Sequence, residues 1–274
     1  MTADPPALFA SAAEHYVRFR PWYPEELFAL LAERFVLDGT QTAMDLGCGP
    51  GMSALPLAPR VVRLYAIDPE PGMLAVGARL AAERNVTNIE WINSDSTQIT
   101  ALGLPPIDLC VMAKSFHWFD RPRVLADLDH LITPGGGIAI ASAGPPGTTP
   151  LPAWAPVIAQ VRTAYLGPVR RAGTGTGTYP EPADRFTDTL RRSPFSRVEL
   201  TCLEQQVTRD LDQLVGLQLS NSYSTPAQLG DNLDAFARDL RRALLGHDPS
   251  GLFHEVIRTE VLIATRPNGR STTP

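Results

Sequence analysis

A glycine-rich stretch near the start of the chain constrains the fold more than any other feature. An apolar run ends in an acidic residue and continues into glycines at every second position, in the order Thr42-Ala43-Met44-Asp45-Leu46-Gly47-Cys48-Gly49-Pro50-Gly51. Glycine adopts backbone angles that other residues avoid, and it lets a ligand lie against the main chain. The pattern predicts a short buried strand and a turn at its carboxyl end, where doubly wound α/β sheets hold nucleotide-like ligands.

A second acidic residue, Asp68, follows the next apolar run at 64–67. At the tip of a neighbouring strand, such a carboxylate is placed to bind the diol of a ribose. We therefore predict that the two strand tips belong to one nucleoside site.

Two other interpretations of the turn were weighed. The dinucleotide fingerprint Gly-x-Gly-x-x-Gly needs its third glycine one residue later than Gly51. Asp45 beside the turn would also repel a pyrophosphate, whereas its charge suits a cationic ligand. A glycine turn made only for close packing remains the simplest alternative.

Composition limits the possible protein classes. The 274 residues are 44 % hydrophobic, enough for a sizeable core, and the net charge of −5 gives no general nucleic-acid surface. Cys48, Cys110 and Cys202 lie in apolar contexts without metal-ligand spacing, as expected of core residues in a reducing compartment. Without a long apolar run or a basic-then-apolar leader, the chain is expected to be cytoplasmic and not membrane-bound.

Alternating patterns place the turn in an α/β sheet. Strands are predicted at 42–46, 63–67, 89–93, 107–112 and 137–142, with helices between them at 72–84 and 122–131. This alternation predicts a parallel sheet covered on both faces. Further along, helices are predicted at 153–166, 208–219 and 227–245, and the strands 197–203 and 255–265 as hairpin partners.

Three segments resemble a known family. The Asp-x-Gly-x-Gly-x-Gly turn resembles motif I of the class I S-adenosylmethionine-dependent methyltransferases. Residues 16–24 are similar to the Tyr…Arg-Pro-x-Tyr-Pro entry segment of the small-molecule type. The sequence Phe-His-Trp-Phe-Asp at 116–120 is similar to that of methyltransferases in the trans-aconitate methyltransferase and type 11 group.

The resemblance implies a fold and its subdivision. It implies one methyltransferase domain over 1–274, built on a doubly wound, seven-stranded, mostly parallel sheet whose last strand is antiparallel, with a helical lid insertion. Within that domain we expect an N-terminal helical cover at 7–37, a cofactor-binding half at 40–142, a lid at 145–192, C-terminal strands and helices at 193–266, and a tail at 267–274.

The resemblance also implies the residues that bind S-adenosylmethionine. These are Tyr16, Arg20, Asp45, Gly47, Gly49, Asp68, Met73, Asp95, Ser96 and Lys114. Simpler roles stay open for three of them: a helix cap for Asp68, core packing for Met73, and an Asx turn for Asp95.

The end of the fourth strand carries the candidate chemistry. Polar side chains at a strand tip belong at the rim of a pocket, and His117 is the candidate general base. A histidine that only shapes the pocket is an equal alternative, and Lys114 is placed to contact the cofactor carboxylate or an acidic substrate. The expected substrate pocket is lined by aromatic residues, namely Tyr23, Trp118, Trp154 and Tyr223.

These features predict O-methylation of a small molecule, on a carboxylate or a hydroxyl group. C- or N-transfer to a quinone-like or amine metabolite is the alternative reaction, and cofactor binding without methyl transfer is the alternative class. We expect a metal-independent monomer or homodimer whose partner is the methyl acceptor and not a nucleic acid.

Overall fold

The computed structural model describes residues 12–143, 150–170 and 185–267. Its seven-stranded sheet has the order β3-β2-β1-β4-β5-β7-β6. Strands β1 to β5 are parallel, and β7 runs antiparallel to both β5 and β6. The predicted mostly parallel, doubly wound sheet is confirmed. The strands are β1 Thr42–Leu46, β2 Arg63–Asp68, β3 Ile89–Asn93, β4 Ile107–Ala113, β5 Ile132–Ser142, β6 Arg197–Arg209 and β7 Phe253–Thr265.

Helices cover both faces of the sheet. They are α1 Ala13–Phe19, α2 Glu25–Phe35, α3 Ala54–Leu57, α4 Pro71–Glu83, α5 Arg121–Leu131, α6 Ala155–Leu166, α7 Phe186–Arg191, α8 Leu211–Leu219, α9 Pro226–Leu229 and α10 Leu233–His247. Successive residues of a strand point to opposite faces. Met44 accordingly packs in the core that contains α5, while its neighbour Ala43 packs in the core that contains α2.

Three predicted boundaries are corrected by the structure. Strand β5 begins at Ile132 and not at residue 137, because Ile132 pairs with Ile107 of β4. Strand β6 continues to Arg209 and not only to residue 203, so helix α8 starts at Leu211, capped by Asp210. The predicted helix 227–245 is interrupted at Gly230, whose φ of 51° is left-handed, and α10 starts after this break.

The β6–β7 hairpin projects past the carboxyl edge of the sheet. Strand β5 ends at Ser142, opposite Glu260 of β7, so residues 204–209 and 253–258 extend beyond it as a hairpin arm. In this arm, Arg209 donates a hydrogen bond to the carbonyl of Phe19 at 3.3 Å, and Gln205 donates one to the carbonyl of Trp22 at 3.3 Å. The arm thereby holds the α1–α2 connection over the carboxyl ends of the strands.

The segment predicted as a lid, 145–192, is described only in part. Helix α6 packs against α10 in a core that includes Ile158 and Phe236, and Leu190 of α7 is fully buried in the core beneath β4. Residues 144–149 and 171–184, the first eleven residues, and 268–274 of the predicted tail lie outside the described residues. The covering role of this segment stays a prediction.

Candidate functional site

The glycine turn after β1 is closed by hydrogen bonds to β2. The N–H groups of Gly47 and Cys48 both donate to the carbonyl of Ile67, at 2.8 and 3.0 Å. Gly47 has a φ of 70°, and a Cβ there would lie 2.5 Å from Cβ of Ser115 on the neighbouring β4 tip. Gly49 has a φ of 53°, and a Cβ there would meet nothing within 4 Å. Gly47 is therefore required by packing, whereas Gly49 leaves open space above the turn.

Asp45 is a fully buried carboxyl group at the end of β1. Its Oδ2 accepts a hydrogen bond from the hydroxyl of Ser53 at 2.6 Å, and its Oδ1 is buried and has no hydrogen-bond partner among the described residues. Burial raises the pKa of Asp45 to about 7, and the neighbouring Asp68 adds to the rise. An unpaired buried carboxylate oxygen is a costly feature that a cationic ligand would relieve.

Asp68 joins the tip of β2 to the glycine turn. Its Oδ2 accepts from the N–H of Gly49 at 2.8 Å, and its Oδ1 accepts from the N–H of Glu70 at 2.9 Å, just before α4. Burial raises the pKa of Asp68. Each carboxylate oxygen has a further lone pair, so these backbone contacts leave acceptor capacity for a ligand.

Three further residues predicted to bind the cofactor, Met73, Asp95 and Ser96, differ in their setting. Met73 is 2 % exposed and packs in the core between α1 and α4. Asp95 accepts hydrogen bonds from the N–H of Thr97 at 2.7 Å and from its hydroxyl at 2.5 Å, which is the Asx-turn arrangement. Ser96 lies in the same turn, half-buried. A contact of any of the three with the cofactor stays a prediction.

Lys114 follows β4 in an unusual conformation. Its φ of 55° is left-handed, which is rare for a residue other than glycine and marks a position held by its surroundings. Its ammonium lies 5.5 Å from the centroid of the Tyr23 ring and forms no hydrogen bond or ion pair within the described part of the chain. Burial lowers the pKa of Lys114 to about 8, with further lowering from Arg20 and Arg209 and an opposing effect of Glu255.

The N-terminal cover brings Tyr16, Arg20 and Tyr23 to the same edge. The Arg20 guanidinium lies 4.3 Å from the centroid of the Tyr16 ring. It donates hydrogen bonds to the hydroxyl and carbonyl of Ser220 and to the side chain of Asn221, at 2.9 to 3.1 Å. Burial raises the pKa of Tyr23 well above its ordinary value, and Tyr16 and Asp45 add to that rise. The cover therefore lies next to both the glycine turn and the β4 tip.

His117 lies in a short helical turn after β4, next to Trp118. The two ring centroids are 4.8 Å apart with the planes tilted by 43°. Burial lowers the pKa of His117 to about 4, and Arg121 and Arg20 lower it further. The imidazole is consequently neutral near pH 7, able to accept one hydrogen bond and donate another.

The structure places Trp154 away from the glycine turn and the β4 tip. Trp154 is 8 % exposed, packs in the core of α6, α8 and α10, and donates its indole N–H to the carbonyl of His254 at 3.3 Å. Tyr223 lies in the loop between α8 and α9, with the Arg170 guanidinium 4.9 Å from its ring centroid. Tyr223 is thus linked to the site through Ser220 and Asn221 of the same loop.

Sequence reasoning missed two contributors to the site. Trp91 of β3 lies against the turn from beneath, since a Cβ on Gly51 or Gly77 would each be 2.5 Å from its indole. Arg209 and Glu255 form a buried ion pair in the hairpin arm, within electrostatic reach of Lys114. Trp91 was visible in the sequence, but its contacts with Gly51 and Gly77 depend on how β3 packs beside the turn and α4.

These residues fit a nucleoside that carries cationic groups. The unpartnered Oδ1 of Asp45 offers an acceptor to a cation, and the space at Gly49 leaves the main chain open to a ligand. Among the described residues, no group of three or more His, Cys, Asp or Glu side chains is arranged to hold a metal ion. None of the described helices is both long and apolar enough to cross a membrane.

Comparisons with known proteins give the class. Residues 43–136, which contain the glycine turn and both acidic strand tips, match the family model described as a methyltransferase domain. An uncharacterized methyltransferase of Mycobacterium tuberculosis is 28 % identical over 224 residues, covering 81 % of this chain and 80 % of that protein. These matches show a methyltransferase domain at residues 43–136 and support a class I S-adenosylmethionine-dependent methyltransferase.

Solved structures agree with this assignment. A candidate type II methyltransferase from Anaeromyxobacter dehalogenans superimposes with a TM-score of 0.57 at 26 % identity, covering 90 % of this chain and 98 % of that one. The cyclase SpnF, at 18 % identity, has a TM-score of 0.50 and covers 89 % of this chain and 82 % of that one. The second likeness concerns the fold alone, since one fold hosts many chemistries.

Proposed function

We propose that the protein transfers the methyl group of S-adenosylmethionine to an oxygen atom of a small-molecule acceptor. The observation that carries the proposal is the Lys114 ammonium, held in a strained conformation at the β4 tip without an acidic partner in the described part of the chain. Such a cation attracts an acceptor whose reacting group is an oxygen anion. The acidic side of the site, at Asp45 and Asp68, is left to the cofactor.

On the cofactor side, the proposal assigns a role to each strand tip. Asp45 faces the positively charged end of the cofactor, and Asp68 accepts from the ribose hydroxyls. Gly49 gives room along the main chain, while Gly47 lets the turn lie close to the β4 tip. Met73, Asp95 and Ser96 surround the adenine. Tyr16 and Arg20 close the cofactor from the N-terminal cover, with Arg20 positioned by Ser220 and Asn221.

The bound cofactor supplies an electrophilic methyl group, so the protein has to align an acceptor oxygen and exclude water. Alignment of this kind lowers the activation barrier by about 7–11 kcal/mol in well-oriented reactions. Tyr23 and Trp118, beside Lys114 and His117, form the apolar walls of the proposed acceptor pocket.

The protonation state of His117 bears on whether the acceptor is a carboxylate or a hydroxyl group. A carboxylate is already ionised and requires no base, so His117 would only donate or accept a hydrogen bond to it. A hydroxyl acceptor would pass its proton to the neutral imidazole of His117. With a pKa of about 4, this imidazole is a weak base. We therefore propose a carboxylate as the first acceptor to test and a hydroxyl as the second.

Product chemistry distinguishes these possibilities. The protein is incubated with S-adenosylmethionine and separate pools of carboxylic acids, phenols and amines, and S-adenosylhomocysteine is measured together with the methylated product. A carboxylate acceptor gives a methyl ester that releases methanol in mild base, whereas methyl ethers, N-methyl and C-methyl products resist that treatment. Base-stable products alone would contradict carboxylate methylation. Tight cofactor binding without S-adenosylhomocysteine from any pool would instead favour a cofactor-binding protein that transfers no methyl group.

A further inference from the structure

Arg162 of α6 is a buried arginine that has no acidic partner among the described residues. It is 6 % exposed; its Nη1 donates to the carbonyl of Gly167 and its Nη2 to the hydroxyl of Thr163, each at 3.2 Å. Its Nε has no hydrogen-bond partner in the part of the chain that the structure describes. Arg209, which is buried to the same degree, has Glu255 as its ion-pair partner. A buried charge with only neutral acceptors is costly unless an opposite charge reaches it.

A second guanidinium lies nearby. Arg170 is exposed, its Cζ lies 4.9 Å from the centroid of the Tyr223 ring, and it forms no hydrogen bond or ion pair within the described part of the chain. Burial and the proximity of Arg170 lower the pKa of Arg162, while Tyr223 opposes this change. Two arginines and a phenol thus lie within electrostatic reach of one another, and no carboxylate of the described residues forms an ion pair with either arginine. This is unexpected in a chain that carries five more acidic than basic side chains.

The position of this cluster connects it with the methyltransferase site. Tyr223 belongs to the loop between α8 and α9, and Ser220 and Asn221 in the same loop bind Arg20 of the N-terminal cover. Arg20 in turn is close enough to Lys114 and His117 to lower the pKa of each. The loop therefore has the proposed acceptor pocket on one side and the Arg162–Arg170 pair on the other.

We infer that Arg162, Arg170 and Tyr223 bind an anionic group of the methyl acceptor, a carboxylate or a phosphate, at the end remote from the methylated oxygen. The inference rests on the proposed function for the identity of the ligand, but the anion site is defined by its own residues. Guanidinium groups bind these oxyanions with paired N–H donors, and the unused Nε–H of Arg162 supplies one such donor. The tyrosine hydroxyl supplies another.

The test uses simple anions and no methyl transfer. Thermal unfolding of the full chain is measured at constant ionic strength in chloride, with inorganic phosphate or malonate replacing part of the chloride. Wild-type protein and the matched control Arg63→Gln, an exposed arginine at the start of β2, are expected to show a saturable rise in the unfolding midpoint. Arg162→Gln should abolish that rise and, in chloride alone, should unfold no earlier than wild type, because an unpaired buried charge has been removed.

Several outcomes would overturn the inference. These are an equal anion effect in all three proteins, an effect that does not saturate, or an Arg162→Gln protein that is destabilised in chloride yet retains the wild-type anion response. If Arg162→Gln does not fold, Arg170→Gln replaces it, since Arg170 is exposed; the anion concentration at half-effect should then rise at least about fivefold. No change with Arg170→Gln would count against the site.

The two proposals can fail separately. Saturable anion binding by a protein that methylates nothing would leave the anion site standing and remove the proposed reaction. Methylation of uncharged acceptors by a protein that shows no anion response would support methyl transfer and rule out the anion site. With a productive acceptor in hand, Arg162→Gln is expected to raise its KM by about tenfold or more and to leave the KM for S-adenosylmethionine unchanged.

Discussion

The carboxylate of Asp68 accepts a hydrogen bond from the backbone N–H of Gly49 at 2.8 Å, which fastens the tip of β2 to the turn after β1. A residue expected to bind a ribose therefore also holds the main chain of the proposed cofactor site. The two roles are linked, because a turn already in place costs less free energy to order when the ligand binds.

Replacement of Asp68 tests the cofactor site. Asp68→Ala is expected to weaken S-adenosylmethionine binding by about 1.5–3 kcal/mol, since hydrogen bonds to a charged group are lost. Calorimetry measures the affinity, and circular dichroism checks that the variant is folded. Asp38→Ala is the control, because Asp38 holds an exposed turn through Thr40 and Gln41. Unchanged affinity in folded Asp68→Ala protein would remove Asp68 from the site, and tighter binding of NADH would contradict the assigned cofactor.

The pKa of Asp45 predicts a pH dependence of cofactor binding. The folded-state pKa of about 7 lies above the ordinary value, so Asp45 favours folding at low pH, and that contribution is lost as the pH rises from about 4 to 7. A cationic ligand requires the ionised form. The affinity for S-adenosylmethionine should therefore fall below about pH 7, by up to tenfold per pH unit.

Asp45→Asn should remove most of this slope. A smaller residual slope would come from the ionisation of Asp68, whose pKa is also raised. Calorimetry between about pH 5 and 8 measures the effect in both proteins. A variant that keeps the full wild-type slope would show that Asp45 does not sense the ligand.

Lys114 can be observed directly, because it is the single lysine of the chain. Protein labelled with ¹³C at lysine Cε should give one lysine resonance, which is expected to titrate near pH 8 and not near 10.5. An anionic acceptor or the cofactor carboxylate should raise this pKa when it binds beside the ammonium. Lys114→Met should raise the KM of the same ligand. A titration that neither ligand shifts would place the ammonium outside the pocket.

His117 is predicted to act through binding. With a carboxylate acceptor, His117→Ala should raise the acceptor KM, change kcat by less than about tenfold, and leave the shape of the pH–rate profile unchanged. Steady-state kinetics over a range of pH is the measurement. A fall in kcat of about 10²–10⁴-fold, with loss of a limb near pH 4, would identify His117 as a general base and the acceptor as a hydroxyl.

Replacing each of two helical glycines by alanine should change the free energy of unfolding in opposite directions. In α4, a Cβ on Gly77 would lie 2.5 Å from the Trp91 indole, so Gly77→Ala is expected to destabilise the protein by about 1–3 kcal/mol through overpacking. In α10, a Cβ on Gly246 would meet nothing within 4 Å, and Gly246→Ala should stabilise the protein by up to about 1 kcal/mol. Urea unfolding of both variants measures the difference. Stabilisation by Gly77→Ala would show that Trp91 can move aside.

The sequence was most informative where local chemistry repeats along the chain. The glycine turn, the alternating strands and helices, and the acidic residue after β2 predicted the parallel sheet and the carboxyl edge at which the candidate site lies. The predicted strand 197–203 was too short because residues 204–209 gain their partners from β7, more than forty residues later. Neither the isolation of Arg162 nor the contact of Trp91 with two glycines follows from local pattern, since both depend on which distant elements become neighbours.

The sheet order carries a consequence for how the protein is synthesised. Strand β7 is inserted between β5 and β6, so β5 and β6 lack this partner until residue 265 has left the ribosome. Arg20 likewise waits for Ser220 and Asn221, about two hundred positions later in the chain. Contacts this distant in sequence close slowly. The parallel half can therefore form during translation, whereas the cover over its carboxyl edge is completed only near the end of synthesis.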